Sequence, residues 1–228
     1  MRALAYGVIF DLDGVLVDSS AFHRESWRLV GRERGFEMSD EFFWRTFGMP
    51  NRQILPMLFG NGLSEDAMLE LSERKEEVFR SLAAGRIRAL PGAIELVRAV
   101  TAERLPIALG SSTPRSNIEA ILAALGIRSD FTQIVCADDV VEGKPHPEVF
   151  LKAAATLALP PQDCVVIEDA VVGVDAARAA GAACLAVATT HAADKLRHAH
   201  RVVPDLTYAD TALLRSLIDS NRNAPATV

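Results

Sequence analysis

The sequence of 228 residues is poor in cysteine and has no uninterrupted apolar stretch near the ~20 residues that a membrane-spanning helix needs. Its three cysteines, Cys136, Cys164 and Cys184, are widely spaced among strand-like apolar residues. This pattern favours buried thiols in a reducing compartment over disulfides, metal ligands or catalytic thiols. The amino terminus runs into the first apolar segment without a signal-type region. These absences predict a cytoplasmic protein with no membrane partner.

Basic residues are also scarce, because 24 Lys and Arg stand against 30 Asp and Glu and give a formal net charge of -6. A nucleic-acid partner requires a basic stripe or patch, so none is expected. The chain also lacks the Gly-x-Gly-x-x-Gly run of a nicotinamide-binding dehydrogenase. Four histidines show no spacing matched to an acidic partner or a helix-borne metal motif, and structural or solvated roles are expected for His146, His191, His198 and His200.

Half of the residues are hydrophobic, and strand-like and helix-like segments alternate from Leu90 onward. The expected strands are Val8–Phe10, Pro106–Gly110, Ile134–Cys136, Cys164–Ile167 and Cys184–Ala188. The helices expected in the same part of the chain are Thr113 to Gly126, Pro147 to Leu157 and Gly173 to Ala180. Such alternation predicts an α/β fold built on a doubly wound parallel sheet with right-handed crossovers.

The segment between the first strand and Leu90 has no strong run of β-branched residues. One helix is expected from Ala21 to Arg34, and a second is expected to begin after a capping Ser64 and to end near Gly85. We therefore expect an all-helical cap over residues 19–88, inserted into a core formed by residues 1–18 and 89–228. Residues 220–228 are expected to form a loose tail.

Four acidic residues follow two of the expected strands: Asp11 and Asp13 follow the first, and Glu168 and Asp169 follow the fourth. If both strands belong to one parallel sheet, these carboxylates meet at its carboxyl-terminal edge, where open α/β sheets bind ligands. Crowded carboxylates repel one another unless a cation lies among them. Mg²⁺ prefers such oxygen ligands and shares its coordination with phosphate. The sequence therefore predicts a magnesium-dependent phosphoryl-transfer site.

Other polar residues fall at nearby positions: Ser111 and Ser112 follow a strand, and Lys144 precedes a helix. Taken singly, an Asp-x-Asp-Gly segment is often a turn, a serine pair is often a helix cap, and a lone lysine is usually solvated. Together these residues supply a nucleophile, a second carboxylate, hydroxyl donors, a cation and metal ligands. Asp138 and Asp139 either border this site or cap a short helix.

In these features the chain resembles the haloacid dehalogenase superfamily, in its phosphatase and phosphomutase branch with a helical cap. The segments that carry the resemblance are Phe10 to Ser19, Gly110 to Thr113, Gly143 to Pro145 and Ile167 to Ala170, in family order. The resemblance implies that Asp11 is the nucleophile that forms an aspartyl-phosphate and that Asp13 is the general acid and base. Dehalogenases of the superfamily lack the second aspartate, so Asp13 indicates a phosphate-handling member.

The resemblance also implies that Mg²⁺ is held by Asp11, the backbone carbonyl of Asp13 and Asp169, with Glu168 binding directly or through water. Ser111, with Ser112 and the amides that follow it, is expected to hold phosphate oxygens. Lys144 is expected to neutralise Asp11 and the transferring group. Phosphoryl transfer depends mainly on alignment and charge stabilisation, which this arrangement would supply.

Within the superfamily the pattern is similar to the β-phosphoglucomutase-like and phosphoglycolate phosphatase-like groups. His23 then lies where the mutase has a residue of cap closure and substrate contact, although it could equally be a helix residue packed between the domains. Gly48 and Arg52 are further candidate substrate contacts. The chain has Phe47 where the mutase has a lysine, and Asn51 occupies the position of its phosphate-binding arginine, with Arg52 adjacent.

The sequence thus predicts hydrolysis of a small phosphate monoester, of the sugar-phosphate or phosphoglycolate type, with a hexose phosphomutase as the alternative. A receiver-type signalling domain also uses an aspartyl-phosphate and Mg²⁺, but it has no cap. The expected partner is a small phosphorylated metabolite. A monomer is expected and a dimer is left open, and the residues do not name the substrate.

Overall fold

The protein is represented by a computed structural model that describes residues 6–60 and 62–223. Its strands are β1 (Gly7–Phe10), β2 (Ile107–Gly110), β3 (Gln133–Val135), β4 (Cys164–Glu168), β5 (Ala183–Val187) and β6 (Arg201–Val203). Its helices are α1 (Ser20–Arg34), α2 (Asp40–Thr46), α3 (Asn51–Phe59), α4 (Glu65–Ala83), α5 (Ala93–Ala102), α6 (Arg115–Leu125), α7 (Glu148–Thr156), α8 (Val171–Ala179) and α9 (Thr211–Arg222). None of the described helices is long and apolar enough to cross a membrane.

The six strands form one parallel sheet in the order β3-β2-β1-β4-β5-β6. This is the order of a doubly wound fold, so the predicted α/β class is confirmed. The strand order reverses beside β1, where Phe10 pairs with Leu109 of β2 and Ile167 of β4. These pairings bring the carboxyl ends of the three central strands level with one another. The fold therefore opens its ligand-binding crevice at the ends of β1 and β4.

Successive side chains of a strand point to opposite faces of the sheet, and a layer of helices covers the apolar side chains on each face. In β1, Val8 and Phe10 face a core closed by α5, α6 and α9, whereas Ile9 faces a second core closed by α7 and α8. All three cysteines are free and buried. The prediction of buried thiols is therefore confirmed.

Helices α1 to α4 form a separate layer with its own apolar core, which includes Trp27, Phe43 and Leu55. Ser64 accepts a hydrogen bond from the Ala67 amide, which caps α4 as predicted. The two chain segments that lead into and out of this layer run side by side, and the Leu90 amide donates to the Leu16 carbonyl at 3.1 Å. The bounds of the inserted cap, residues 19–88, stay a prediction.

The structure also contains elements that the sequence pattern did not predict, namely α2, α3, α5, β6 and α9. Helix α9 runs to Arg222, so the expected loose tail is wrong for Ser220 to Arg222, while residues 224–228 lie outside the described part of the chain. The amphipathic face of α9 buries Leu214, Leu217 and Ile218 against the sheet. This burial fixes the helix in place.

The histidine prediction is also corrected in part. His146 Nε2 lies 2.9 Å from Glu142 Oε2, and His198 Nε2 lies 3.1 Å from Asp175 Oδ1. Both pairs are largely solvent-exposed, so each contributes little to stability. The expected solvated role is therefore confirmed for both histidines, which are exposed, whereas their acidic partners were not expected from the sequence.

Two glycines with positive φ provide a test of the packing at the edge of the core. A Cβ at Gly92 (φ 79°) would lie 2.3 Å from the Leu206 carbonyl carbon, whereas a Cβ at Gly126 (φ 70°) would meet no atom within 4 Å. Gly126→Ala should cost about 1 kcal/mol in the free energy of unfolding from backbone strain alone. Gly92→Ala should cost at least twice as much, since backbone atoms must also move. Urea denaturation measures both, and equal losses would contradict the packing described here.

Candidate active site

The carboxyl ends of β1 and β4 bring together acidic residues that are more than 150 positions apart in sequence. The Asp11 amide donates to the Ile167 carbonyl at 3.0 Å, which extends the pairing of the two strands by one residue. Carboxylate oxygens of Asp11, Glu168 and Asp169 then lie within 4.8 Å of one another, and all three side chains are buried. The predicted convergence of these acids at one sheet edge is what the structure shows.

Lys144 neutralises part of this acidic cluster. Its Nζ donates to Asp11 Oδ1 at 2.7 Å and to Glu168 Oε1 at 2.6 Å, and the residue is only 1% exposed. Burial alone would lower the pKa of Lys144, but attraction to Asp11 and Glu168 raises it above its usual value. The lysine is therefore a fixed cation between the expected nucleophile and a second acid.

One ammonium group does not balance the cluster. Burial raises the pKa of Asp11 to about 7, with Lys144 opposing this shift and Glu168 and Asp13 adding to it. Burial also raises the pKa of Asp169, and repulsion from Glu168 and Asp11 raises it further. Without another cation, full ionisation of these carboxylates at neutral pH is therefore unfavourable.

The residues present fit a hard divalent cation. Asp169 Oδ2 is buried and has no hydrogen-bond partner among the described residues. A Cβ on Gly14 (φ 76°) would lie 1.9 Å from this oxygen, so the close approach of the β1 loop requires glycine. An unpartnered buried carboxylate oxygen beside two other carboxylates is the donor set that Mg²⁺ prefers.

Asp13 lies in a different environment. Its Oδ1 accepts a hydrogen bond from Ser19 and faces His23 Nε2 at 3.3 Å, while its Oδ2 accepts from Thr113. Burial would raise the pKa of Asp13, but the His23 ring and the hydrogen bonds from His23, Ser19 and Thr113 hold it below its usual range. The two aspartates of the motif therefore have pKa shifts in opposite directions, as expected for groups with different chemical tasks.

His23 connects Asp13 to the helical layer. Lys75 Nζ lies 2.7 Å from His23 Nδ1, and the ring stacks on Phe79 with centroids 4.0 Å apart. Because an ammonium group only donates, Nδ1 accepts and Nε2 is left to donate to Asp13. His23 thus packs between the layers, as one of the two predictions has it, and also contacts Asp13, while its role in cap closure and substrate contact stays a prediction.

A narrow cavity of about 50 Å³ separates the sheet edge from the helical layer. Ser111, Ser112 and Thr113 form part of its floor beside Asp11 and Asp13. Ser111 is 1% exposed, and its Oγ accepts from the Thr113 amide at 3.1 Å. The hydroxyl groups predicted to hold phosphate are therefore adjacent to the expected nucleophile.

The predicted substrate contacts of the cap fall in different places. Gly48 (φ 91°) lines the cavity, and a Cβ there would lie 3.1 Å from Ala170 Cβ. Arg52 instead donates to the backbone carbonyls of Ala137 at 2.9 Å and Val141 at 3.2 Å, and it lines an outer groove. The adjacent Asn51 faces the inner cavity. The structure therefore places Asn51, rather than Arg52, above the acidic site.

The residues of the cavity that were not singled out from the sequence include Trp27, Lys75 and Glu76. Lys75 and Glu76 lie within a charge-rich helix, so nothing in the local pattern separates them from solvated neighbours. Asp138 and Asp139 act as caps, because Asp138 accepts from the Arg115 amide that begins α6 and Asp139 accepts from the Cys136 amide. Of their two predicted roles, the geometry supports capping.

The geometry agrees with comparisons to known proteins. The model of haloacid dehalogenase-like hydrolases matches residues 7–181. The chain is 34% identical over 175 residues to fructose-1-phosphate phosphatase YqaB of Escherichia coli, covering 77% of this chain and 92% of that protein. A β-phosphoglucomutase structure from Clostridium difficile has a TM-score of 0.86 and 28% identity, covering 96% of this chain and all of that one.

A further relative is the chloroplastic 5-amino-6-(5-phospho-D-ribitylamino)uracil phosphatase of Arabidopsis thaliana, which is 32% identical over 217 residues. The match covers 94% of this chain but only 58% of the plant protein, so the chain spans little more than half of that relative. The chain belongs to the haloacid dehalogenase-like hydrolases. Within this family it is a phosphatase.

Because the buried carboxylates repel one another, the site is expected to lower the stability of the metal-free protein, and bound Mg²⁺ is expected to restore it. In chelator, Asp169→Asn should raise the melting temperature by a few degrees, on the order of 1–2 kcal/mol, because a neutral amide relieves repulsion in the cluster. The same change should remove the stabilisation that Mg²⁺ gives to the wild type.

Asp194→Asn provides the matched control, since it removes one exposed carboxylate outside the site. Thermal unfolding of the three proteins with Mg²⁺ and with chelator measures both effects. A metal response in Asp169→Asn equal to that of the wild type would contradict the assignment of Asp169 as a ligand.

Proposed function

We propose that the protein hydrolyses a small phosphate monoester with Mg²⁺, through an aspartyl-phosphate on Asp11. One observation carries the proposal: a buried Asp11, fixed by Lys144, lies beside an unpartnered oxygen of Asp169 and faces the cavity. The bound ion would lie among Asp11, Glu168, Asp169 and the Asp13 carbonyl and would offset the charge of the phosphoryl group. A small phosphorylated metabolite, a monomeric chain and a cytoplasmic location complete the proposal.

The first step is transfer of the phosphoryl group to Asp11. The Asp11 oxygen that Lys144 does not hold attacks phosphorus as the bond to the leaving oxygen breaks. Asp13 gives its proton to that oxygen, so the leaving group departs as an alcohol. Lys144 and the Ser111 hydroxyl stay in place and stabilise the charge on the transferring group.

The second step is hydrolysis of the phosphoenzyme. Asp13 takes a proton from a water molecule whose oxygen attacks phosphorus, and the bond to Asp11 breaks to release inorganic phosphate. Asp13 is ionised in the substrate-free site, because its hydrogen-bond donors lower its pKa. A phosphate dianion placed beside it favours its protonated form, so substrate binding would prepare Asp13 to act as an acid.

The residues of the cap favour water, rather than a second sugar phosphate, as the acceptor of the phosphoryl group. A mutase must hold a bisphosphate at both ends, which requires a cation in the cap wall. Lys75 is the ammonium that lines this cavity, and it is already paired with Glu76 at 2.8 Å. Arg52 is committed to backbone carbonyls, and Asn51 is neutral. Hydrolysis is therefore favoured over the mutase reaction.

The nucleophile can be tested directly. Asp11→Asn should lower turnover of phosphate monoesters below about 1% of wild type, because an amide is nearly isosteric with a carboxylate but not nucleophilic. Phosphate release and circular dichroism measure activity and folding, and Asp194→Asn serves as the control for an exposed carboxylate. Rapid quenching with substrate and mass spectrometry should show phosphate on wild-type Asp11. A folded Asp11→Asn protein with substantial activity would contradict this role.

The choice of acceptor gives a separate test. With β-glucose 1-phosphate and the glucose 1,6-bisphosphate primer, release of inorganic phosphate should exceed formation of glucose 6-phosphate, since Lys75 is the only lysine or arginine among the described residues that line the cavity and Glu76 neutralises it. A coupled glucose 6-phosphate dehydrogenase assay run beside phosphate detection measures both products. Isomerisation faster than hydrolysis by about tenfold, equivalent to ~1.4 kcal/mol in barrier, would instead assign the enzyme as a mutase.

A further inference from the structure

Glu76 is a buried carboxylate on the cap side of the cavity that the hydrolytic steps do not use. The residue is 6% exposed. Its Oε1 accepts from Lys75 Nζ at 2.8 Å and from Asn51 Nδ2 at 2.7 Å, and its Oε2 accepts from Asn117 Nδ2 at 2.5 Å. These partners come from α4, α3 and α6, so Glu76 joins the cap to the core.

The carboxylate has unused hydrogen-bonding capacity. An ionised carboxylate can accept about four hydrogen bonds, and the described side chains supply three. Burial would raise the pKa of Glu76, but Lys75 and His23 hold it below its usual value, which keeps the group ionised. A further ligand at Glu76 must therefore be a donor such as a hydroxyl group.

Glu76 also lies beside the space that the leaving group must occupy. The inner cavity of about 50 Å³ holds only a few water molecules, and a larger groove opens on its other side. Four residues line both spaces: Asn51, Glu76, Ser112 and Pro114. A leaving group that extends from a phosphate at Asp11 towards the groove therefore passes the Glu76 carboxylate.

The charges between the cavity and the groove disfavour a leaving group that carries a second anionic group. Glu76 neutralises Lys75, and Asn51 adds no charge. Arg80, the next cation along α4, donates to Asn117 Oδ1 at 2.8 Å and to Ser116. An anionic leaving group would thus meet a buried carboxylate whose balancing cation is already committed.

We propose that Glu76, oriented by Asn51 and Asn117, is a specificity-determining residue that accepts a hydroxyl group of an uncharged leaving group and rejects a leaving group bearing a carboxylate or second phosphate. This inference rests on the proposed hydrolytic function and narrows its substrate class. It favours phosphates of sugars and polyols over phosphoglycolate, phosphoglycerate and bisphosphates.

The test uses substrate pairs that differ in one group. Glycerol 3-phosphate and 3-phosphoglycerate differ by a hydroxymethyl group against a carboxylate, and fructose 1-phosphate and fructose 1,6-bisphosphate differ by a hydroxyl against a phosphate. For the wild type with Mg²⁺, kcat/KM should favour the uncharged member of each pair by at least about tenfold, equivalent to ~1.4 kcal/mol.

Glu76→Gln should reduce this ratio at least about fivefold, mainly through a lower KM for the anionic member, because the repulsive charge is gone. Glu65→Gln is the control: Glu65 begins α4, its side chain is exposed and lines neither the cavity nor the groove, and its replacement should leave the ratio unchanged. Thermal unfolding establishes that each variant is folded. If Glu76→Gln does not fold, Asn51→Lys places a cation beside the intact carboxylate and should shift the ratio in the same direction.

Equal kcat/KM values within the wild-type pairs would overturn the proposal. A ratio retained in the folded Glu76→Gln and Asn51→Lys variants, or one lost equally in Glu65→Gln, would also overturn it. Absence of Mg²⁺-dependent phosphate release from every substrate would instead refute the hydrolytic function on which the inference rests. The two failures are therefore distinguishable.

Discussion

The structure depends on how much negative charge can be buried at the end of two parallel strands. Asp11, Glu168 and Asp169 converge there, and Lys144 is the ammonium that contacts Asp11 and Glu168. The excess of two negative charges is what a divalent cation would balance. This constraint explains the raised pKa of Asp11 and Asp169, and it explains why an oxygen of Asp169 is left without a partner among the described residues.

The backbone around this cluster is shaped to bring the acids close together. Gly14 lets the loop after β1 pass against Asp169, and a Cβ on Gly173 would lie 1.8 Å from Glu168 Oε1. The Asp169 and Ala170 amides donate to Glu168 Oε2, which holds this acid away from solvent. The cap then encloses the site from above, and its own pair of Lys75 and Glu76 keeps the added wall electrically neutral. Charge in the site is thus concentrated at the sheet edge.

The core of the site was predictable because its residues lie at strand ends, where sequence position fixes spatial position. Asp11, Asp13, Ser111, Glu168 and Asp169 all come together as the sequence predicted. The functional residues of the cap were harder to predict from the sequence, because a helix such as α4 carries many charged residues and only its packing decides which ones are buried. Glu76 and Glu77 are adjacent in sequence, yet one lines the inner cavity and the other pairs with Arg74 at the surface. Arg52 was misleading for the same reason, since its side chain, in the first turn of α3, binds backbone carbonyls of the loop of residues 137–141 instead of entering the cavity.

The central claim is that this buried acidic cluster exists to hold a divalent cation, and calorimetric titration of Mg²⁺ into metal-free protein at pH 7 tests it most directly. Repeating the titration in buffers of different ionisation enthalpy counts the protons released. Because the pKa of Asp11 is raised to about 7 and that of Asp169 is also raised, the cation displaces protons from the cluster. The account predicts one Mg²⁺ per chain with net proton release on the order of one per ion. Saturable binding without proton release, or no binding, would contradict it.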